Sequence, residues 1–106
     1  MNAWLILAMA IVLEVAGTTS MKLSDGFSKL MPSILIFVFY GLSFTALTYV
    51  LKKLDVSVAY AIWSGVGTVL IAVVGIILFK ESLSLMKVGS ILLIVIGVVV
   101  LNLNGM

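Results

Sequence analysis

One acidic residue is set apart from the other charged residues of the chain. Glu14 lies inside a run from Ala3 to Met21 that is otherwise uncharged and mostly apolar. If this run crosses a membrane as a helix, a carboxyl group near its middle costs about 2.5–3.5 kcal/mol on insertion scales, and such a residue normally has a task or a partner. No lysine lies at that depth. We therefore expect Glu14 to be protonated, hydrated or holding a cation from outside; the structural alternative is a protonated carboxyl that only joins two helices.

Helical spacing shows which residues share the face of Glu14. Residues three, four or seven positions away lie on one side of a helix. They are Leu7, Ala10, Ile11, Gly17, Thr18 and Met21. Ala10, Gly17 and Thr18 are small and leave space for close helix packing or for a ligand, and the Thr18 hydroxyl can donate a hydrogen bond to an ionised Glu14.

Three aromatic residues lie within apolar segments, away from the membrane interfaces where Trp and Tyr usually anchor a helix. They are Tyr40, Tyr60 and Trp63. Tyr60 and Trp63 are three residues apart and share a helix face. Ring faces attract cations, so these rings together with the buried acid predict a cavity for an organic cation. The alternative for each ring is packing or lipid contact.

Composition indicates that this chain lies in lipid and not in water. Of its 106 residues 64% are hydrophobic and 9% charged, against about 45–50% and 25% in a soluble domain. A water-soluble globular protein is therefore excluded.

Cysteine and histidine are absent, which excludes thiol and histidine catalysis and Cys/His metal sites, so we expect no cofactor and no metal. The net charge is +2 and the lysines are not clustered, which argues against a nucleic-acid partner. An enzyme is not expected either, because Glu14 has no second titratable group at its depth.

The charged residues divide the chain into four apolar segments, residues 3–21, 32–51, 56–79 and 88–103. Each is close to the roughly 20 residues that span a hydrocarbon core as a helix. The segments lack the alternation of a barrel strand. The sequence thus predicts an all-α integral membrane protein, with one domain of four transmembrane helices over residues 1–106. No lysine or arginine precedes the first segment, so we expect it to stay in the mature protein.

The lysines are almost evenly divided between the two sides of the membrane. The first and third loops contain Lys22, Lys29, Lys80 and Lys87. The opposite side has Lys52, Lys53 and the terminal amine, so the bias is about one positive charge. A clear asymmetry is needed to fix orientation. Either the chain inserts both ways round and forms an antiparallel homodimer, or the small excess holds the first and third loops in the cytoplasm in every copy.

Glycines in the third and fourth segments allow two interpretations. Gly65 and Gly67 are either a hinge or a place of close helix packing. Gly89, Ser90 and Gly97 are small residues at near-heptad spacing on a bulky apolar helix, which indicates a contact between helices, most simply between subunits. The fourth segment has no ionisable or aromatic residue within residues 88–103, so we assign it no substrate contact.

Three runs of the sequence carry a family resemblance: the nine residues from Glu14 to Lys22, the loop Asp25-Gly26-Phe27 leading to Pro32-Ser33, and the eight residues from Tyr60 to Gly67. They resemble the small multidrug resistance transporters, and the match runs nearly end to end. The resemblance implies a four-helix subunit, an antiparallel dimer in the bacterial inner membrane and proton-coupled export of organic cations. It implies that Glu14 is the shared proton and substrate site. The residues around it would be Ala10, Gly17, Thr18, Tyr40, Ser43, Tyr60 and Trp63, with Gly65 and Gly67 at a kink.

The substrate class follows from the branch of the family that the sequence resembles. The run Gly17-Thr18-Thr19 is similar to the drug-exporting branch, and the tryptophan that guanidinium exporters carry close after the acid is absent. Hydrophobic quaternary ammonium and aromatic cations are therefore expected. The alternatives are a guanidinium or polyamine exporter, one subunit of a pump with two unlike subunits, or an accessory protein whose Glu14 pairs with a partner. Ser90 stands where the family's fourth-helix motif commonly begins with glycine.

Overall fold

The protein is a chain of four long helices. The structure, a computed structural model, describes residues 2–105, with the backbone alone for residues 104 and 105. The helices are α1 (Ala3–Leu23), α2 (Leu30–Val50), α3 (Val56–Leu78) and α4 (Leu85–Gly105), and the described residues contain no strand. Each helix is long and apolar enough to cross a membrane. The predicted all-α class with four membrane spans is confirmed.

The helix ends lie within three residues of the predicted ones, and the differences have local causes. α2 begins before Pro32, which therefore lies in the first turn, where a backbone N–H has no partner within the helix. α4 begins before Lys87, because the Ser84 hydroxyl accepts a hydrogen bond from the Lys87 N–H at 3.0 Å and caps the helix. Dividing the sequence at its charges placed both starts too late.

The chain forms two compact units, residues up to Asp55 and residues from Val56. The expected single four-helix domain stays a prediction. In the first unit α1 and α2 form an antiparallel hairpin with a buried core. The core side chains are Leu7, Ala10, Ile11, Val15, Ile36 and Val50.

The turn that closes this hairpin has three consecutive residues in the left-handed region. Asp25, Gly26 and Phe27 have φ values of 49°, 67° and 69°. Glycine and aspartate tolerate this conformation, whereas a bulky residue such as Phe27 rarely adopts it. Phe27 is held by its N–H, which donates to the buried Ser24 hydroxyl at 3.2 Å, and by its ring, which stacks on Phe37 with centroids 6.3 Å apart. The turn predicted at Asp25-Gly26 is present.

In the second unit, α3 packs against α4 at glycines. A Cβ atom built on Gly65 would overlap the Val98 side chain of α4. A Cβ atom on Gly75 would overlap the Glu81 carboxyl group, which folds back over α3 after Lys80 takes a left-handed φ of 53°. Gly65 and Gly75 thus let α4 and the loop before it approach the α3 backbone closely.

The α3–α4 contact predicts the effect of enlarging Gly65. We expect Gly65→Ala to lower the free energy of unfolding by about 1–3 kcal/mol, because the new methyl group forces Val98 to move. The matched control is Gly41→Ala in α2, where a built Cβ has no neighbour within 4 Å among the described residues. Both variants can be compared by denaturant titration in micelles. A double variant with Val98→Ala should recover part of the loss; equal stability of the Gly65 and Gly41 variants would contradict this packing.

Candidate functional site

The carboxyl group of Glu14 has a hydroxyl partner one helical turn away. Thr18 Oγ1 donates a hydrogen bond to Glu14 Oε1 at 2.9 Å, and both residues are half-buried. The next two hydroxyl residues behave differently, because Thr19 and Ser20 donate to backbone carbonyls four residues earlier, at 2.8 and 2.9 Å. Of these three consecutive hydroxyl groups, only that of Thr18 is bonded to the carboxyl group.

Tyr40 extends this bond from α1 to α2. Its hydroxyl lies 2.6 Å from Thr18 Oγ1 and 3.6 Å from the Met21 sulfur, to which it can also donate. Thr18 has a single hydroxyl hydrogen. When Glu14 is ionised and accepts that hydrogen, Tyr40 must be the donor to Thr18. The structure therefore connects three predicted site residues, Glu14, Thr18 and Tyr40, in one chain of hydrogen bonds.

The ring of Tyr40 lies directly on Gly17. A Cβ atom built on Gly17 would be 3.3 Å from two carbons of this ring, so alanine there would push the ring by a few tenths of an ångström. Phe44 stacks on the same ring, with centroids 5.8 Å apart and planes at 9°. Gly17 and Phe44 thus fix the position from which the Tyr40 hydroxyl reaches Thr18.

Ala10 and Ser43 meet inside the hairpin. The Ser43 hydroxyl donates to the backbone carbonyl of Ala10 at 2.6 Å, and neither residue has any exposed surface. This bond joins α2 to α1 at the level of the core. The observed contact of both residues is helix packing, and their contact with a cation stays a prediction.

Tyr60 and Trp63 belong to the second unit. Their rings are in edge-to-face contact on α3, with centroids 5.6 Å apart and an interplanar angle of 77°. Tyr60 is 59% exposed and Trp63 is half-buried. The predicted sharing of a helix face is therefore seen, and their place beside Glu14 stays a prediction.

The glycines predicted to form a hinge and those predicted to form a subunit contact all lie within regular helices. α3 continues without interruption through Gly65 and Gly67, and both are buried. On α4, Gly89, Ser90 and Gly97 are exposed, and a Cβ built on either glycine meets no atom of the described residues within 4 Å. The hinge and the subunit contact remain predictions.

Two residues next to the site were not predicted as part of it. Helical spacing had placed Met21 on the face of Glu14 without assigning it to the site, and the same spacing could have identified Phe44, which is four residues from Tyr40. No group of three acidic side chains that could hold a metal ion occurs among the described residues. Glu14 is the one acidic residue within the bounds of the four helices.

The sequence of this four-helix chain matches a known protein family. The family model of the Small Multidrug Resistance protein matches residues 2–94, which include the candidate site residues described above except Gly97 on α4. The chain belongs to the small multidrug resistance family. As a member it is a multi-pass bacterial membrane protein and a transporter, not an enzyme.

Relatives match over almost the whole chain. The uncharacterized membrane protein YvaE of Bacillus subtilis (strain 168) is 62% identical over 94% of this chain and 84% of its own length. The multidrug resistance protein EbrB of the same organism is 50% identical over 96% of this chain and 87% of its own. The quaternary ammonium compound-resistance protein QacE of Escherichia coli is 47% identical over 97% of this chain and 94% of its own.

The Ser43 contact gives a prediction for this small multidrug resistance protein. Ser43→Ala should lower the free energy of unfolding by about 0.5–1.5 kcal/mol, because a buried hydrogen bond between α1 and α2 is lost. Thr45→Val is the control, since the exposed Thr45 hydroxyl bonds only within α2, to the Gly41 carbonyl. Denaturant titration of both variants in micelles measures the difference. A Ser43→Ala variant of full stability would contradict the packing role.

Proposed function

We propose that the protein is a proton-coupled antiporter that exports hydrophobic and aromatic organic cations, such as quaternary ammonium compounds. In this proposal a proton and the cation compete for Glu14. The observation that carries it is the hydrogen-bond chain from Glu14 through Thr18 to Tyr40, which is set within two membrane-spanning helices.

The partners of Glu14 favour an exchangeable charge. Hydroxyl donors stabilise the carboxylate that remains when the proton leaves, and hydrogen bonds to a charged group are worth about 1.5–3 kcal/mol. The lysines lie in loops or near helix ends, Lys22 at the end of α1 and Lys87 near the start of α4, so no lysine neutralises Glu14 at mid-helix depth. The neutralising charge must then come from a proton or a bound cation.

Competition for one carboxylate is sufficient to couple the two fluxes. A cation that binds the ionised Glu14 excludes a proton, and a proton that binds the carboxylate displaces the cation. On the acidic outer side protonation releases the cation, and on the less acidic inner side deprotonation favours its binding. The proton gradient thereby drives export, provided that the site opens to one side at a time.

The aromatic residues favour large cations over small polar ones. Tyr60 is 59% exposed beside Trp63, so its ring surface is accessible to a flat or apolar cation, and cation–π contacts contribute about 0.5–2 kcal/mol each. The printed names of EbrB and QacE refer to multidrug and to quaternary ammonium resistance, which agrees with this substrate class.

The working unit in this proposal is an antiparallel homodimer with one Glu14 from each copy at a shared cavity. α4 is apolar, and none of its residues 85–103 is buried within the chain. Gly89 and Gly97 are exposed on it, and small residues are enriched where membrane helices pack together. The near balance of lysines between the two sides also favours insertion in both orientations.

Substituting Glu14 tests the shared site. Wild-type protein in detergent should release protons when a tetraphenylphosphonium salt is added, and its affinity for the cation should rise with pH. We expect Glu14→Gln to abolish both effects, because an amide can neither release a proton nor carry a negative charge. The release can be measured with a pH indicator at several pH values.

The matched control removes a carboxylate elsewhere. Asp25→Asn changes the charge by the same amount in the α1–α2 turn, and asparagine tolerates the left-handed φ of 49° found there. It should release protons as the wild type does. Proton release that persists in Glu14→Gln would refute the mechanism; absence of binding and release in wild-type protein would favour the accessory-protein hypothesis or a missing unlike subunit.

Trp63 tests the class of cation. Trp63→Ala should weaken the binding of a flat aromatic cation about 2- to 30-fold, the equivalent of roughly 0.5–2 kcal/mol, and Trp63→Phe should retain most of the affinity. Binding constants from calorimetry in micelles measure the change. Unchanged affinity in Trp63→Ala would remove this ring from the site, and preference of the wild type for guanidinium or a polyamine would overturn the aromatic-cation assignment.

A further inference from the structure

A second polar site lies at the opposite end of the hairpin from the α1–α2 turn. α1 begins and α2 ends there, and between them is a groove of about 590 Å³. The residues of this groove that could bind a ligand are Asn2, Trp4, Tyr49, Lys52 and Lys53. None of them belongs to the Glu14 site, and no acidic residue lines the groove.

Both lysine side chains are available for a ligand. The end of α2 is capped by backbone groups, since the N–H groups of Lys52 and Lys53 donate to the carbonyls of Tyr49 and Val50 at 3.2 and 2.9 Å. Within residues 2–105 neither ammonium group forms an ion pair, although Asp55 follows closely in sequence. The groove therefore has two exposed positive charges that the helix end does not use.

The Lys52 ammonium group and the Asn2 amide are positioned as hydrogen-bond donors in the groove. Lys52 Nζ lies 5.4 Å from the centre of the Tyr49 ring, a cation–π distance that holds the ammonium group above the ring. The Asn2 side-chain oxygen accepts the Trp4 backbone N–H at 2.7 Å, which leaves the amide NH₂ of Asn2 to donate to a ligand. Ammonium groups that form no ion pair and amide donors are groups that bind phosphate.

The depth of the groove in the membrane determines which kind of molecule carries the phosphate. Trp4 lies in the first turn of α1 and Tyr49 in the last turn of α2, so both rings are at the ends of membrane-spanning helices. Trp and Tyr at such ends lie at the level of the lipid headgroups. Tyr49 is 56% exposed, and the Lys52 ammonium group lies over its ring. A phosphate at this level is part of a phospholipid.

We propose that this groove binds the phosphate of an anionic phospholipid headgroup. Lys52 and Lys53 bind the phosphate oxygens, the amide of Asn2 donates a further hydrogen bond, and the Trp4 and Tyr49 rings pack against the glycerol and upper acyl region. The site is independent of Glu14 and of the exported cation. Basic pockets between membrane helices are known to bind phosphorylated headgroups in this manner.

Native mass spectrometry of the full chain in micelles tests this site. Phosphatidylglycerol and phosphatidylcholine with identical acyl chains are added separately, and the retained lipid is counted. The wild type should retain the anionic lipid preferentially. Lys52→Gln with Lys53→Gln should lower that retention about fivefold per lysine, because each substitution removes an ammonium–phosphate contact in the groove that contributes about 1 kcal/mol. Lys52→Arg with Lys53→Arg should restore it.

The matched control is Lys22→Gln with Lys29→Gln, which removes the same charge at the other end of the hairpin, beside Asp25. It should keep the preference for phosphatidylglycerol. Equal losses in both double variants would show a general charge effect and overturn the site, as would equal retention of the two lipids by the wild type. Displacement of phosphatidylglycerol by millimolar inorganic phosphate would show a site for soluble phosphate and overturn the lipid assignment. Circular dichroism of each variant establishes that the helices are intact.

Discussion

The absence of water from the lipid interior is the constraint on which this structure depends. Backbone polar groups in a spanning segment must find partners within the protein, and a buried hydroxyl side chain without a partner is also costly. Six serine and threonine side chains of the helices meet this requirement locally, by donating to a backbone carbonyl four residues earlier. These are Thr19, Ser20, Ser33, Thr45, Thr48 and Thr68. Thr18 and Ser43 differ, because one bonds the Glu14 carboxyl group and the other bonds the neighbouring helix.

The two helical units satisfy the same constraint by different means. α1 and α2 are joined by polar contacts, one through Tyr40 and one through Ser43. α3 and α4 pack closely where glycine lacks a side chain, as at Gly65, against which the Val98 side chain lies. Without a hydrophobic driving force in lipid, helices associate through hydrogen bonds and close packing, and each unit uses mainly one of the two. The unit with the polar contacts is also the one that contains Glu14.

The sequence was sufficient to predict the helices and the contact between Glu14 and Thr18, because both follow from composition and from spacing along one helix. It was not sufficient to place Tyr40 on Thr18 or Ser43 on Ala10. Such contacts depend on the register between two helices, which the turn and the packed core determine. The family resemblance named these residues without indicating that the Ser43 hydroxyl donates to a backbone carbonyl. The start of α4 was placed too late because a capping serine, and not the nearest charge, begins that helix.

The chain of hydroxyl groups has a direction, since each group has one hydrogen to give. With an ionised Glu14 the hydrogens point toward the carboxylate, from Tyr40 to Thr18 and from Thr18 to Glu14. A neutral Glu14 can donate its own hydrogen to Thr18. The Thr18 hydroxyl then donates to Tyr40, and the Tyr40 hydroxyl donates to the Met21 sulfur. The whole row reverses while the heavy atoms keep their places. The charge of the Glu14 carboxyl group on α1 therefore determines the direction in which the Tyr40 hydroxyl on α2 donates its hydrogen.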